Sequence, residues 1–229
     1  MMPVRPLRRT VSAPLFAAFA LFLFTLSALP RGGAAAEFAP KDLVENFHAE
    51  LLSVMKDAKT LGFKGRYDRL APAVTGTFHL RLMTQITSGS HWRKAAEADK
   101  QALVSAFSKV SIGTYAARFT GFSGQHFETL GTKTGPQQTQ LISTRLVNPD
   151  GDDVALTYVT KKIEGNWRVI DVVLASGISE LALRKSEYAN TLNQGGIAGL
   201  IASLNAKAAE LSQSATGPAT GLAKTSANS

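Results

Sequence analysis

The chain has 229 residues, with 25 Lys and Arg against 17 Asp and Glu, and it contains no cysteine. The absence of cysteine excludes disulfides, thiolate catalysis and thiolate metal sites. Four of the basic residues lie in the first 36 positions, so the remainder carries a net charge of only +4. Because this charge is mild and scattered, nucleic acid is not expected as a partner.

The first 36 residues have the pattern of a secretory signal peptide. Three arginines precede an almost wholly apolar run at 15–29, and the small residues 32–36 follow it. Signal peptidase accepts small side chains at the first and third residues before the cut, which places cleavage after Ala36. The alternative is an uncleaved membrane anchor, but an apolar run of about 15 residues is short for a span that needs about 20. We therefore expect a mature protein in the periplasm.

The remaining chain is long enough for one ordinary domain, which we place at 37–211. Residues 212–229 are rich in Ser, Ala, Thr and Gly and carry almost no large apolar side chain. Such a segment buries too little apolar surface to offset its ordering entropy. We expect a disordered tail there.

Helical periodicity dominates the first half of this domain. Apolar residues recur at three- and four-residue spacing over 40–59, which predicts an amphipathic helix with Pro40 at its start. Shorter helices are predicted over 66–75 and 80–88, and the longest over 97–119.

After Gly121 the pattern changes from helical to alternating. Segments rich in β-branched and aromatic residues are separated by Gly, Asn and Asp, which tolerate the positive φ of hairpin turns. The predicted strands of this antiparallel meander are 127–130, 138–147, 154–163 and 167–174.

The third predicted strand has apolar side chains on both faces, so helices must cover the sheet or the sheet must enclose something. Helical spacing returns at Ser179 and continues past a break at Gly195-Gly196. The sequence therefore predicts an α+β domain: a bent antiparallel sheet of about four to five strands, wrapped by N- and C-terminal helices and enclosing an apolar pocket.

The sequence gives little support for catalysis. His48, His79, His91 and His126 lie in different segments, and none belongs to a paired metal-binding motif. No nucleophile elbow, P-loop or dinucleotide fingerprint is present. We expect no metal, no cofactor and no enzymatic activity.

Asp171 is the one residue that keeps an enzyme hypothesis open. It lies inside the apolar strand 169–173, where desolvation can raise the pKa of a carboxyl and make it a base, as in small isomerases. The alternative is a structural carboxylate, paired with Arg168 or Arg145 or capping a neighbouring backbone.

Five segments together resemble the MlaC / toluene-tolerance family of periplasmic lipid-binding proteins. They are Gly65-Arg-Tyr-Asp-Arg-Leu-Ala-Pro-Ala-Val74, Phe78 with Leu82-Met83, Trp92, Tyr115-Ala-Ala-Arg-Phe119 and Trp167-Arg-Val-Ile-Asp-Val172. Within that family, Ile178-Ser-Glu-Leu-Ala182, Arg184-Lys-Ser-Glu-Tyr188 and Gly195-Gly196 are most similar to the hopanoid-associated HpnM branch. One departure is His79, where the family pattern has an Asp.

The resemblance implies a carrier that shuttles a phospholipid or a hopanoid between membranes without a cofactor. It also implies an inner-membrane ABC transporter complex and an outer-membrane complex as partners, and we expect a monomer. A deep apolar pocket suffices for this task, since each buried methylene contributes about 0.8 kcal/mol. A scaffold that carries nothing is the third hypothesis, and it would have a packed core without a cavity.

The predicted apolar lining combines helical and strand residues, and two arginines are predicted beside the headgroup. The lining candidates are Met83, Ile86, Phe107, Val110, Tyr115, Phe119, Leu156, Tyr158, Val172 and Leu174. The headgroup candidates are Arg145 and Arg168.

Overall fold

The computed structural model describes residues 39–214. The predicted signal peptide and the tail beyond residue 214 lie outside the described residues. Within them the element order is α1 Pro40–Lys56, α2 Ala58–Thr77, α3 Leu80–Ser88, α4 Ser90–Lys94, α5 Glu97–Arg118, β1 His126–Thr134, β2 Thr139–Val147, β3 Val154–Ile163, β4 Asn166–Leu174 and α6 Glu180–Ser214. The domain is α+β, as predicted.

The strands form one antiparallel sheet in the order β1-β2-β3-β4, and the sheet is not closed. The pairing register shifts between Thr129 and Gly131 in β1 and between Val159 and Thr160 in β3. Such bulges bend a sheet and increase its twist, so the curvature follows from these two irregularities. The bent sheet packs against the helices.

Helix α1 has the face that its spacing predicts. Phe47, Leu51 and Val54 are at most 1% exposed and lie in the core that the helices share with the sheet. The helix ends at Lys56, three residues before the predicted end, because Asp57 leaves helical geometry with φ −95° and ψ 5°. The next helix starts at once at Ala58 and bends at Gly62, whose φ of 58° suits glycine.

Strand β1 is longer than predicted, because it pairs with β2 as far as Thr134 opposite Gln140. Its second half carries small and polar residues that are exposed, so no apolar alternation marked it. Helix α4 was not predicted. Trp92 in this helix is 6% exposed and lies under Arg81 and Lys100, with ring-centroid distances of 5.2 and 5.8 Å.

Helix α6 consists of two helical stretches that meet at Gly196, where φ is 59° and ψ is −156°. The break coincides with the predicted Gly195-Gly196 interruption. The second stretch continues through residues 212–214, which were predicted as tail. Leu192 before the break and Leu200 and Leu204 after it are all buried in the shared core.

Arg66 fixes α2 to the end of α5. Its side chain is 5% exposed and donates hydrogen bonds to the carbonyl oxygens of Ala116 (2.8 Å) and Ala58 (3.0 Å). Carbonyl groups in the last turn of a helix, such as that of Ala116 in α5, lack intrahelical partners, and a buried arginine can supply several donors. The motif around Arg66 therefore has a structural role in this chain.

Candidate functional site

A cavity of about 720 Å³ lies between the sheet and the helices. Residues from α1, α2, α3, α5, β2, β3 and β4, the first turn of α6 and the loop after α5 line it. Its volume is typical of a small-molecule site, and its wall is mostly apolar. The pocket that the sequence predicts is therefore present in the fold.

The sheet side of the cavity is formed by two neighbouring cross-strand pairs. Leu156 lies opposite Leu174, and Tyr158 lies opposite Val172. All four side chains line the cavity. Their common face follows directly from the two-residue side-chain period of β-strands. These four predicted residues are thus brought together as the alternation indicated.

The helix side is largely aromatic. Tyr115 contacts Phe78 and Phe119 with ring-centroid distances of 5.8 and 6.0 Å, and all three rings line the cavity with Met83. Phe47 packs behind this group, edge-on to Tyr115 at 5.2 Å. The predicted residues Met83, Tyr115 and Phe119 are therefore at the cavity wall, and Phe78 joins them.

Three of the predicted apolar residues do not line this cavity. Ile86 is 37% exposed on α3, and Phe107 is fully buried in the core beneath Arg184, whose Cζ is 5.5 Å from the ring centroid. Val110 borders a neighbouring smaller pocket instead. Each lies on a helix whose apolar stripe is wider than the part that faces the cavity.

The two predicted headgroup arginines also lie away from the cavity wall. Leu146 lines the cavity, and Arg145 lies next to it on the opposite face of β2. The Arg145 guanidinium group forms an ion pair with Glu128 at 2.6 Å. Arg168 donates to the carbonyl oxygen of Trp167 at 2.9 Å. The cationic groups that do line the cavity are Lys59, Arg118 and Arg184, with one acidic neighbour, Glu180.

These three cations were missed, although one signal was available. Arg118 is three residues after Tyr115, a spacing that places both on one face of α5. Lys59 and Arg184 come from other helices, and only docking of the helices brings them to the same cavity. The mouth also carries Phe122 and Val154, whose exposed fractions of 43% and 41% are high for apolar side chains.

Ser111 is a buried polar residue in the cavity wall. It is 6% exposed, and its Oγ is the only buried side-chain polar atom among residues 39–214 that lacks a hydrogen-bond partner. Other hydroxyls on the helices, such as those of Ser108 and Thr114, donate to the carbonyl four residues earlier. Leaving a buried hydroxyl unpaired is unfavourable, so Ser111 suits a ligand that offers an oxygen atom.

His48 and Tyr158 form a buried hydrogen bond between α1 and β3. The His48 Nε2 and Tyr158 hydroxyl are 3.0 Å apart, and the imidazole stacks on Phe127 with a centroid distance of 3.8 Å. Burial lowers the pKa of His48 to about 4, against a smaller raising effect from Glu45. The imidazole is therefore neutral at pH 7. Its hydrogen bond to the hydroxyl holds the ring of Tyr158, which lines the cavity.

Asp171 has the capping role that was one of its two interpretations. Its carboxylate accepts hydrogen bonds from the backbone N–H groups of Val172 (2.8 Å) and Leu181 (3.0 Å) and from the Ser179 hydroxyl (2.6 Å). Ser179 Oγ in turn accepts from the N–H of Ala182 at 2.9 Å. The carboxylate and the serine together satisfy donors that the start of α6 would leave unpaired.

We expect Asp171→Ala to lower the free energy of unfolding by about 2 kcal/mol, because it removes a charged acceptor shared by three donors. Urea unfolding followed by circular dichroism measures this. Asp150→Ala is the control, since Asp150 is exposed in a loop, and it should change stability little. Equal stability of the two variants would contradict the capping role.

His79 takes the place of the expected acidic residue at the start of α3. Its Nδ1 accepts a hydrogen bond from the Leu82 backbone N–H at 3.0 Å, and the backbone N–H of His79 donates to the Val169 carbonyl at 2.9 Å. A neutral imidazole can accept in this way as a carboxylate does. The departure at this position therefore preserves helix capping.

Residues 39–214 also lack two other features. No group of His, Cys, Asp and Glu side chains there is arranged to hold a metal ion. None of the helices in this range is both long and apolar enough to cross a membrane.

Comparison with known proteins gives one family and a similar solved structure. The structure is a phospholipid-binding protein from Ralstonia solanacearum in complex with a phospholipid, with a TM-score of 0.67 and 21% sequence identity; the alignment covers 76% of this chain and 99% of that one. This likeness shows the fold. No curated protein matches the sequence. The family model described as MlaC protein matches residues 45–206. Because this match spans most of the chain, the protein belongs to the MlaC family.

Proposed function

We propose that the protein binds a phospholipid in the cavity between the sheet and the helices. The observation that carries this proposal is the mostly apolar cavity of about 720 Å³, which has cations at its edge. Burial of acyl methylenes supplies binding energy of about 0.8 kcal/mol each, with no catalytic group needed. The phospholipid found in the similar solved structure supports the same ligand class.

We further propose that the protein acts as a carrier in the periplasm, after export through a cleaved signal peptide. It would exchange lipid with an inner-membrane ABC transporter complex and an outer-membrane complex, as a monomer. Residues 178–188 and Gly195-Gly196 support placement in the HpnM branch, and they keep a hopanoid as the alternative cargo. Phe122 and Val154 at the mouth support contact with an apolar surface during exchange.

The other two hypotheses have less support. The Asp171 carboxylate is engaged by three donors beside α6 and does not line the cavity, so the isomerase hypothesis lacks a base in the pocket. A scaffold that carries nothing would not need a cavity, and unfilled apolar space of this size is costly. Both observations favour a binding protein.

Mass spectrometry of an organic extract tests the proposal. The mature protein is purified without detergent from a hopanoid-producing host, beside a protein of similar size that lacks a cavity. We expect about one phospholipid per chain and background levels in the control. A hopanoid in the extract would mean that the cargo is a hopanoid and not a phospholipid, and it would still support the carrier function. A folded protein that holds no lipid and takes none from phospholipid vesicles would contradict the proposed function.

A further inference from the structure

We propose that the phosphate of the bound lipid lies between Arg118 of α5 and Arg184 of α6, with the rest of the headgroup in a second pocket next to the acyl cavity. The inference rests on the proposed function and specifies its ligand. It assigns the protein to phosphate-bearing lipids in preference to neutral ones.

The second pocket has a volume of about 410 Å³ and lies between α5 and the two stretches of α6. It exists because the break at Gly196 lets the second stretch turn back, so that Ser203 and Lys207 face the same space as Tyr188 and Thr191. Charged and hydroxyl-bearing side chains are prominent in its wall. This composition suits a polar group better than an acyl chain.

Arg118 and Arg184 stand at the junction of the two pockets. Both line the acyl cavity and the polar pocket, and they share this position with Thr114 and Glu180. Both also act on Tyr115: burial raises the pKa of its hydroxyl, and the charges of Arg184 and Arg118 oppose that rise. Both arginines therefore lie at the boundary between the two pockets, near Tyr115.

Both arginines keep their positive charge, because the side chains that Arg184 contacts, the Phe107 ring and the Tyr188 hydroxyl, are uncharged. Neither has an ion pair with any other residue in the described range 39–214, whereas Lys207 in the same polar pocket is paired with Glu210 at 3.1 Å. A guanidinium group presents several donors in a planar arrangement that matches phosphate oxygens. One guanidinium group balances the single negative charge of a phosphodiester, and the second, with Glu180 beside it, adds donors that orient the phosphate.

A polar stripe on α5 leads from this point into the acyl cavity. Ser111, Thr114, Tyr115 and Arg118 follow the i, i+3, i+4, i+7 pattern of one helix face, and all four line the cavity. Ser111 is about 10 Å from Arg118 along the helix axis, given a rise of about 1.5 Å per residue. Its unpartnered hydroxyl can donate to an oxygen in the part of the ligand below the phosphate.

The test compares lipids that share acyl chains but differ in the phosphate. The delipidated protein is incubated with vesicles that contain dioleoylphosphatidylethanolamine, dioleoylphosphatidylglycerol and dioleoylglycerol. It is then separated from them, and its bound lipid is quantified by mass spectrometry. We expect the wild type to load either phospholipid at least about tenfold over dioleoylglycerol, since charge-assisted hydrogen bonds are the strong ones.

The variant Arg118→Gln/Arg184→Gln should lose about tenfold in phospholipid loading and keep its dioleoylglycerol loading. Lys109→Gln/Lys185→Gln is the matched control, because it removes two exposed cations from the same helices away from both pockets. If the glutamine variant does not fold, Arg118→Lys/Arg184→Lys retains the charge without the planar donor pattern and should show a smaller loss.

The outcomes separate this inference from the proposed function. Equal loading of phospholipid and dioleoylglycerol by the wild type, or unchanged selectivity in the arginine variant, would overturn the phosphate site and leave the carrier intact. A wild-type protein that loads none of the three lipids would overturn the carrier, and the phosphate site with it.

Discussion

Val172→Trp/Leu174→Trp should abolish phospholipid retention while the chain stays folded. Both residues lie on the cavity face of β4, opposite Tyr158 and Leu156 of β3, and two indole rings there occupy space that acyl chain would fill. Displacing roughly four methylenes removes about 3 kcal/mol of binding free energy. That corresponds to a loss in affinity of more than about a hundredfold.

Thr157→Trp is the matched control for this experiment. Thr157 lies between Leu156 and Tyr158 on β3, so its side chain points to the opposite face of the sheet and does not line the cavity. Tryptophan is tolerated in strands, so this variant should fold and retain lipid like the wild type. Lipid per chain is measured by extraction and mass spectrometry, and folding by circular dichroism. Full loading of the double variant would mean that the acyl chains do not occupy the cavity between β3, β4 and α5.

Acidification should destabilise the fold through His48. The pKa of this imidazole is about 4 in the folded protein because of burial, below the value of about 6.5 of an exposed histidine. The unfolded chain therefore takes up the proton first as the pH falls. The stabilisation is fully present above about pH 6.5 and is lost between there and about pH 4, with a total near 3 kcal/mol.

His48→Gln isolates this contribution. The glutamine amide can reach the Tyr158 hydroxyl, but it does not titrate. Urea unfolding at pH 7.5 and at pH 4 gives the loss of unfolding free energy for each protein. We expect the wild type to lose about 3 kcal/mol more than the variant over this range, whatever the stability of the variant at pH 7.5. The same loss in both proteins would show that carboxyl groups alone control the acid response.

The local patterns of the sequence were sufficient for most of the architecture. A helix face repeats every three to four residues and a strand face every two, so the stretches that became α1, α3, α5, β2, β3 and β4 could be recognised from their own side chains. The same strand period placed Leu156, Tyr158, Val172 and Leu174 on one wall. Strand β1 beyond Leu130 and helix α4 gave weaker signals, because their residues are largely exposed and polar or lie in a very short helix.

The composition of the candidate site needed the tertiary structure. Periodicity tells which helix face is apolar, but the docking of neighbouring elements decides which part of that face borders a cavity. Tyr115 near the end of α5 and Phe119 just after it therefore line the wall, whereas Phe107 in α5 is core. The cations follow the same rule, since Lys59, Arg118 and Arg184 converge from three helices.

What the sequence by itself determined was the α+β class, the order of most elements, the break near Gly196 and the sheet side of the pocket, because each depends on residues adjacent in the chain. Only the tertiary structure decided the contacts between distant residues. His48 meets Tyr158 across 110 positions, and the first turn of α6 meets Asp171 across ten. Such pairs form when packing of the core brings two polar groups together, and at a buried point such as that of His48 and Tyr158 each group must find a partner.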